Sequence, residues 1–216
     1  MMMKTIVAKI ETRKIDKKII DKAVEIMNGG GVIIYPTETC YGIGCDATNP
    51  KATNKIYTIK MRDKNKPLPI IVSSVIMISK YAIITPQMKH LVKKFMPGPL
   101  TIVARTKGSS LGKTIGKSVS FRITSNNIAL SLVKKLKLPM ISTSANISGE
   151  APLYRIDNVI KKFNKKVDMI IDAGKLKKNR PSTCIDMSES EIKIIREGPI
   201  PTKKVYRELG VCSINS

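Results

Sequence analysis

The amino-acid sequence predicts a mixed α+β fold, a mixed sheet flanked by helices, and three observations carry that prediction. Strand-like apolar runs and amphipathic helical stretches interleave without the regular βαβ alternation of a purely parallel sheet. The composition is that of a globular protein with one sizeable core: 216 residues, 42% hydrophobic and 25% charged. No Pro/Gly/Ser-rich linker, internal repeat or low-complexity block divides the chain. A single domain over 1–216 is therefore expected, with a core at about 14–200 and a tail from 201 onward.

The elements follow in order. Asp16 is placed to cap a helix whose apolar face is Ile19, Ile20, Ala23, Val24 and Met27, and Gly29-Gly30-Gly31 stops it. Val32 to Tyr35 reads as a buried strand. It runs into Pro36–Gly44, PTETCYGIG, where a strand end carries Thr37, Glu38 and Thr39. Such an end builds a poor core and a good polar rim over a ligand, with Gly42 and Gly44 letting backbone come close to it. Asn49-Pro50 supplies a cap and first turn for a short helix bearing Ile56 and Ile59. Pro69 to Val72 predicts a strand. Thr85-Pro86 opens a helix bearing Leu91, Val92 and Phe95, stopped by Pro97-Gly98-Pro99. Strands are predicted at Thr101 to Ala104 and Val119 to Ile123, with a Gly- and Lys-rich loop between them. Asn126 or Ser125 caps a helix carrying Ile128, Ala129, Leu132, Val133 and Leu136. Met140-Ile141 is a short strand leading into a polar loop, Ser142 to Glu150. A helix near Asp157 to Phe163 follows, then strands at Met169 to Ile171, Thr183 to Ile185 and Ile192 to Ile195. The segment from Pro201 reads as a last helix.

The formal net charge is +23, with 31 Lys and 8 Arg. A surface so basic attracts phosphates, on nucleotides or on RNA, although a lysine-rich coat that only solvates the protein gives the same number. No run of ~18 apolar residues is present, so no membrane span is expected. The first residues lack an apolar signal-peptide core, and Cys40, Cys45, Cys184 and Cys212 show no pairing pattern. A reduced, cytoplasmic protein is expected.

Five polar segments fall at predicted strand ends or in loops: Thr37–Thr39, the cation-dense Lys60–Lys66, Ser118/Ser120/Arg122 on one face of a strand, Ser142–Gly149, and Ser182-Thr183 with Arg196. Taken singly each has a plain reading, as exposed loop, cap or wet strand face. Taken together they hold three of the chain's eight arginines, the residue type for a two-pronged grip on carboxylate or phosphate. Ser/Thr hydroxyls and loop amides complement arginine as phosphate ligands. The lone histidine, His90, is placed in a helix, which argues against a Ser/His or Cys/His catalytic pair. The cysteines lack zinc spacing, and neither GxxxxGK[ST] nor GxGxxG after a strand occurs. Aromatic residues are 4% of the chain and do not interleave with basic runs, which argues against a stacking platform for single-stranded nucleic acid.

Seven ordered motifs carry a resemblance: PTETCYGIG (Pro36–Gly44), KMRDKNKPLPIIV (Lys60–Val72), MPGPLT (Met96–Thr101), SVSFR (Ser118–Arg122), STSANISG (Ser142–Gly149), PSTCID (Pro181–Asp186) and REGPI (Arg196–Ile200). Together they resemble the YrdC-like family, the threonylcarbamoyl-AMP synthases, over nearly the whole chain. The resemblance implies a twisted mixed sheet flanked by helices around a large basic concave cavity. It implies a nucleotidyltransferase that converts L-threonine, bicarbonate and ATP into L-threonylcarbamoyladenylate and pyrophosphate. The product would serve N6-threonylcarbamoyladenosine formation in tRNAs reading codons that begin with A, through a separate transferase complex. Mg2+ would arrive with ATP, held by phosphates and water, and no protein metal site is expected. Thr37, Arg122, Ser142 and Ser182 would line the threonine pocket, with Arg122 on the carboxylate. Lys60, Arg62, Lys66, Ser118, Ser144, Asn146 and Arg196 would hold the nucleotide, and Lys60 and Arg62 would be catalytic.

Three departures from the family pattern matter. Where many relatives carry a threonine-contacting His after KPL, this chain has Ile70 to Ser74. Where relatives read KxRP it has Asp63, which predicts a looser loop. Longer relatives carry a second domain, so a lid role would fall to the tail from Pro201. Two alternatives remain open at this point: a tRNA or double-stranded RNA-binding module on the same fold, and a paralogue with related carbamoyl-adenylate chemistry.

Overall fold

The computed structural model describes residues 4–12, 14–108, 111 and 115–210. The connection between the strands near residues 101 and 119 lies partly outside these residues, as does Cys212. The elements run β1 (Ile6–Lys9), α1 (Lys17–Asn28), β2 (Ile33–Pro36), β3 (Tyr41–Gly44), α2 (Pro50–Lys60), β4 (Ile70–Ile71), α3 (Val75–Ser79), α4 (Pro86–Phe95), β5 (Leu100–Arg105), β6 (Ser118–Arg122), α5 (Asn127–Leu136), β7 (Met140–Ile141), β8 (Thr143–Ser144), α6 (Ile156–Phe163), β9 (Met169–Asp172), β10 (Thr183–Asp186), β11 (Lys193–Arg196) and α7 (Thr202–Leu209).

Local chemistry sets the helix starts. Asp16 accepts from the Lys18 N–H, Asn49 from Ala52, Thr85 from Met88, and Asn126 from both Ile128 and Ala129. Pro50 and Pro86 stand in the first turns of α2 and α4, where a missing N–H leaves nothing unpaired.

The strands divide between two mixed sheets, ordered β1-β9-β2-β3-β8 and β11-β10-β5-β6-β4-β7. Pairs β1/β9, β2/β9, β5/β10 and β4/β6 are parallel, and the hairpins β2/β3, β5/β6 and β10/β11 are antiparallel. Strand alternation sorts the core. Ile33 and Tyr35 of β2, with Met169 and Ile171 of β9, pack under α1 and α5. Ile34, Ile43 and Ile170 face the other way, into a larger core with Ile56, Ile70, Leu100, Ile102 and Phe121. That two-sided burial is why Val32 to Tyr35 is an unbroken apolar run.

Four elements depart from the sequence reading. β1 and α3 were not foreseen. Ser142 to Glu150 is not loop throughout, because β8 pairs with β3 through Gly42↔Ser144 and Ile43↔Thr143. PTETCYGIG is not a strand followed by a glycine loop but a hairpin, β2 and β3 joined by Thr37 to Cys40. Gly42 and Gly44 sit inside β3, against strand propensity, because the Tyr35 ring on the paired strand fills the space their side chains would need. A Cβ on Gly44 would come within 2.3 Å of the Ile141 carbonyl oxygen. The glycine there serves backbone packing between the sheets, not approach to a ligand, which corrects the expectation for Gly44.

The chain leaves one sheet for the other at Ser142, the single residue between β7 and β8. The Ser142 N–H donates to the Pro69 carbonyl at 2.9 Å, and Tyr35 Oη donates to Ser142 Oγ at 2.7 Å. No helix of the described residues is long and apolar enough to cross a membrane.

Gly44→Ala is expected to destabilise the protein by about 1–3 kcal/mol through overpacking against Ile141. A chemical-denaturation midpoint matching the wild type would show that the contact relaxes freely.

Candidate functional site

The β2–β3 tip, β6, the Ser142 crossover and the start of β10 converge on one cavity of about 550 Å³. Its wall includes Thr37, Arg62, Arg122, Ser142, Ser144, Ser182 and Arg196, seven of the eleven residues singled out from the sequence. No Asp or Glu is among its lining residues.

Each group is held by local geometry. The Thr37 hydroxyl donates to the Cys40 carbonyl at 2.6 Å and accepts the N–H groups of Thr39 and Cys40 at 3.2 Å, closing the hairpin tip. Arg62 Nε and Nη2 donate to the carbonyls of Lys66 and Pro67 at 3.1 and 2.9 Å. Arg196 Nε and Nη2 both donate to the Ser182 carbonyl, at 3.0 and 2.9 Å. Gly198 makes this possible: a Cβ there would lie 2.2 Å from the Pro181 carbonyl oxygen. Ser182 Oγ lies 2.8 Å from Thr101 Oγ1. Arg122 Nη1 lies 2.5 Å from Glu38 Oε1, an ion pair between the hairpin tip of one sheet and β6 of the other.

Four predicted residues do not reach the wall. Lys60 is buried: Nζ donates to the carbonyls of Ser144 and Asn146 and to Asn146 Oδ1, at 2.5, 2.8 and 3.2 Å. It works on the underside of the Ser144–Asn146 turn and carries that turn's hydroxyl to the cavity. Burial first, and the Arg62 charge second, pull the Lys60 ammonium down from 10.5 to about 8. Asn146 is likewise buried; its Oδ1 accepts from Ser144 Oγ at 2.6 Å and its Nδ2 donates to the Glu150 carbonyl at 2.6 Å. Lys66 points into solvent, while its carbonyl accepts from Tyr57 Oη and Arg62. Ser118 faces the same side of β6 as Ser120 and Arg122, as alternation predicts, but it pairs with Arg105 at the far end. At a rise of roughly 3.3 Å per residue it stands about 13 Å from Arg122 along the strand.

The loop bearing Arg62 is held without proline. Asp63 Oδ1 accepts from the Asn65 N–H at 2.9 Å, and the Lys66 N–H closes the turn on the Asp63 carbonyl at 3.1 Å. Helix α7 packs on α4, where its Glu208 pairs with His90 and Lys94, and none of its residues lines the cavity. Residues 211–216 lie outside the described ones. Thr39, Ser120 and Thr143, which fall in polar segments singled out from the sequence but without an assigned role, also line the wall, and Thr101, Tyr154 and Asn179 were not foreseen there. For Ser120 a signal existed, its alternation with Arg122. Cys40 also lines the cavity, as a free thiol pushed up by burial.

The family model Sua5-yciO-yrdC, described as "Telomere recombination", matches residues 25–198. The chain is 38% identical over 192 residues to the putative threonylcarbamoyl-AMP synthase of Methanocaldococcus jannaschii, spanning 88% of this chain and 91% of that one. It is similar to the crystal structure of Pyrococcus abyssi Sua5 complexed with L-threonine, with a TM-score of 0.88 and 30% identity over 95% of this chain. It spans 61% of that longer chain. The similarity to E. coli YciO has a TM-score of 0.85 at 27% identity, over 93% of this chain and 99% of that one.

Lys60→Met is expected to strand the Ser144 and Asn146 acceptors, costing about 1–3 kcal/mol. The pH dependence has a definite sign. Below about 8, Lys60 is protonated both folded and unfolded; between about 8 and 10.5 the unfolded chain binds the extra proton. Wild-type stability should therefore rise relative to Lys60→Met across that window in denaturant titrations. A difference that stays flat or falls there would contradict the placement of Lys60.

Proposed function

Because the chain belongs to the Sua5-yciO-yrdC family, we propose that it is a threonylcarbamoyl-AMP synthase. It condenses L-threonine, bicarbonate and ATP into L-threonylcarbamoyladenylate, releasing pyrophosphate and water. The observation that carries this reading is the cavity wall, in which three arginines and several hydroxyls meet with no lining carboxylate.

The chemistry needs little more. The threonine amine attacks bicarbonate, and the resulting carbamate oxygen attacks the α-phosphorus as pyrophosphate leaves. All the partners carry negative charge around the reacting centre, so juxtaposition and charge neutralisation can supply most of the catalysis, with no protein nucleophile. In this reading Arg122 receives the threonine carboxylate, beside Thr37, Ser142 and Ser182. Arg62 and Arg196 face the polyphosphate, and Ser144 is presented to it by the Lys60–Asn146 arrangement. Lys60 is thereby a positioning residue, and Lys66 and Ser118 act at most at a distance. The cavity's hydroxyls and carbonyls without a carboxylate suit a magnesium ion that enters on ATP and keeps phosphate and water ligands.

The product would pass to a threonylcarbamoyl transferase acting on tRNA adenosine, in the cytoplasm. The +23 net charge favours a second, compatible reading, tRNA or double-stranded RNA binding on the basic surface.

Pyrophosphate release from ATP should require both threonine and bicarbonate. Release indifferent to threonine would favour a paralogue with a different acceptor, and no turnover with salt-dependent RNA binding would favour the binding module. Within the assay, Arg122→Ala should raise KM for threonine far more than KM for ATP. Equal effects on the two would remove Arg122 from the carboxylate site.

A further inference from the structure

Glu38 is the one charged residue of the Pro36–Gly44 hairpin, and the reading above gives it no part. The three cavity arginines are anchored in different ways. Arg62 and Arg196 donate to backbone carbonyls, which are neutral, so each presents a full positive charge to the cavity. Among the described residues, Arg122 alone of these three arginines is paired with a carboxylate, at 2.5 Å from Glu38 Oε1. The two side chains are 12% and 22% exposed, so solvent screens the pair weakly.

Glu38 is held through Oε2 and its backbone, while Oε1 sits buried against the Arg122 guanidinium with no hydrogen-bond partner among the described residues. Oε2 accepts from Thr124 Oγ1 at 2.8 Å, its carbonyl accepts from Asn179 Nδ2 at 2.6 Å, and the tip is closed by the Thr37 hydroxyl. Glu38 is not among the lining residues, whereas Arg122 is. The carboxylate therefore meets the guanidinium from behind the wall. A guanidinium carries five N–H donors in a planar fork; Glu38 Oε1 meets it by charge at the Nη1 end and accepts no hydrogen bond from it.

We propose that Glu38 is a positioning residue that reserves Arg122 for a carboxylate and withholds it from phosphates. The Glu38–Arg122 pair as a whole has no net charge to offer a polyphosphate, yet the guanidinium's donors keep the flat geometry that a carboxylate matches. Arg62 and Arg196, uncompensated, are the better partners for the polyanion. One cavity must take a monoanionic amino acid beside a triphosphate, and Glu38 keeps each anion at its own arginine. The inference rests on the proposed function for the identity of the carboxylate ligand, but the charge sorting itself does not.

The test is calorimetric titration of the full chain with L-threonine and, separately, with inorganic pyrophosphate, for wild type, Glu38→Gln and Glu38→Asp. Glu38→Gln is expected to weaken threonine roughly 10- to 100-fold, the loss of one charge-assisted contact's ordering. It should tighten pyrophosphate by about tenfold, an effect that salt reduces. Glu38→Asp, whose carboxylate stops one methylene short, should lie between the two and carries the same test should the Gln variant fail to fold. In an Arg122→Gln background, adding Glu38→Gln should no longer tighten pyrophosphate. A merely structural Glu38 would weaken both ligands together along with the melting temperature, and that result overturns the proposal. So does unchanged threonine affinity, or pyrophosphate bound no tighter. If the wild type takes up no threonine, the proposed function fails, while the pyrophosphate series still decides the sorting.

Discussion

The cavity opens where the chain changes sheets at one residue. β7 belongs to one sheet and β8 to the other, with Ser142 alone between them. Residues on both sides of that junction, Ser142 with Thr143, Ser144, Ile70 and Ile71, line the cavity together with polar side chains from the strand ends. The crossover is held from both sides: Tyr35 Oη reaches Ser142 Oγ from β2, and the Pro69 carbonyl takes the Ser142 N–H from the approach to β4. Gly44 follows from the same constraint, because the Ile141 carbonyl lies where its side chain would stand. A tyrosine fully buried in this position needs a partner for its hydroxyl, and Ser142 supplies it.

A cavity lined by cations must hold its walls apart before any anion arrives. Here each cation leans on an oxygen of the chain itself. Arg62 leans on the carbonyls of its own loop, Arg196 on Ser182 and Arg122 on Glu38, while behind the wall Lys60 leans on Ser144 and Asn146. These contacts fix the donors in place, so the wall presents groups already oriented and not flexible side chains. The carbonyl-anchored cations have no carboxylate beside them among the described residues and the Glu38-paired one does, so rigidity and local electrostatic balance are set separately at each position.

Much of this was legible in the sequence, for identifiable reasons. Helices announced by Asp16, Asn49-Pro50, Thr85-Pro86 and Asn126 appear with those caps, because capping is a contact among near neighbours. The grouping of Thr37, Arg62, Arg122, Ser142, Ser144, Ser182 and Arg196 around one cavity was legible through the ordered motifs. What was not legible depends on partners distant in sequence. β3 is a strand despite two glycines because Tyr35 packs over them, and β8 is a strand only because β3 offers an edge. Ser118 shows the limit of a face argument: alternation gave its side of β6 correctly and said nothing of its distance from the cavity.

Lys60 and Arg62 show the same limit at closer range. Two cations two residues apart on a basic stretch look interchangeable in a sequence. The structure separates them at Met61, which ends α2 in the left-handed region with φ 49° and leaves its own side chain in solvent. A continued helix would have set Lys60 and Arg62 on different faces of the same rod. The left-handed residue instead turns the chain, and the Arg62 N–H bonds back to the Tyr57 carbonyl at 2.9 Å while the Lys60 carbonyl takes the Ser148 N–H at 2.8 Å. Lys60 is thereby drawn under the Ser144–Asn146 turn, and Arg62 starts the loop whose carbonyls aim it at the cavity. A methionine forced left-handed is a cost to the folded state, of order 1 kcal/mol. The turn it makes divides one basic run into a buried brace and a cavity-lining cation, a division that residue type alone does not specify.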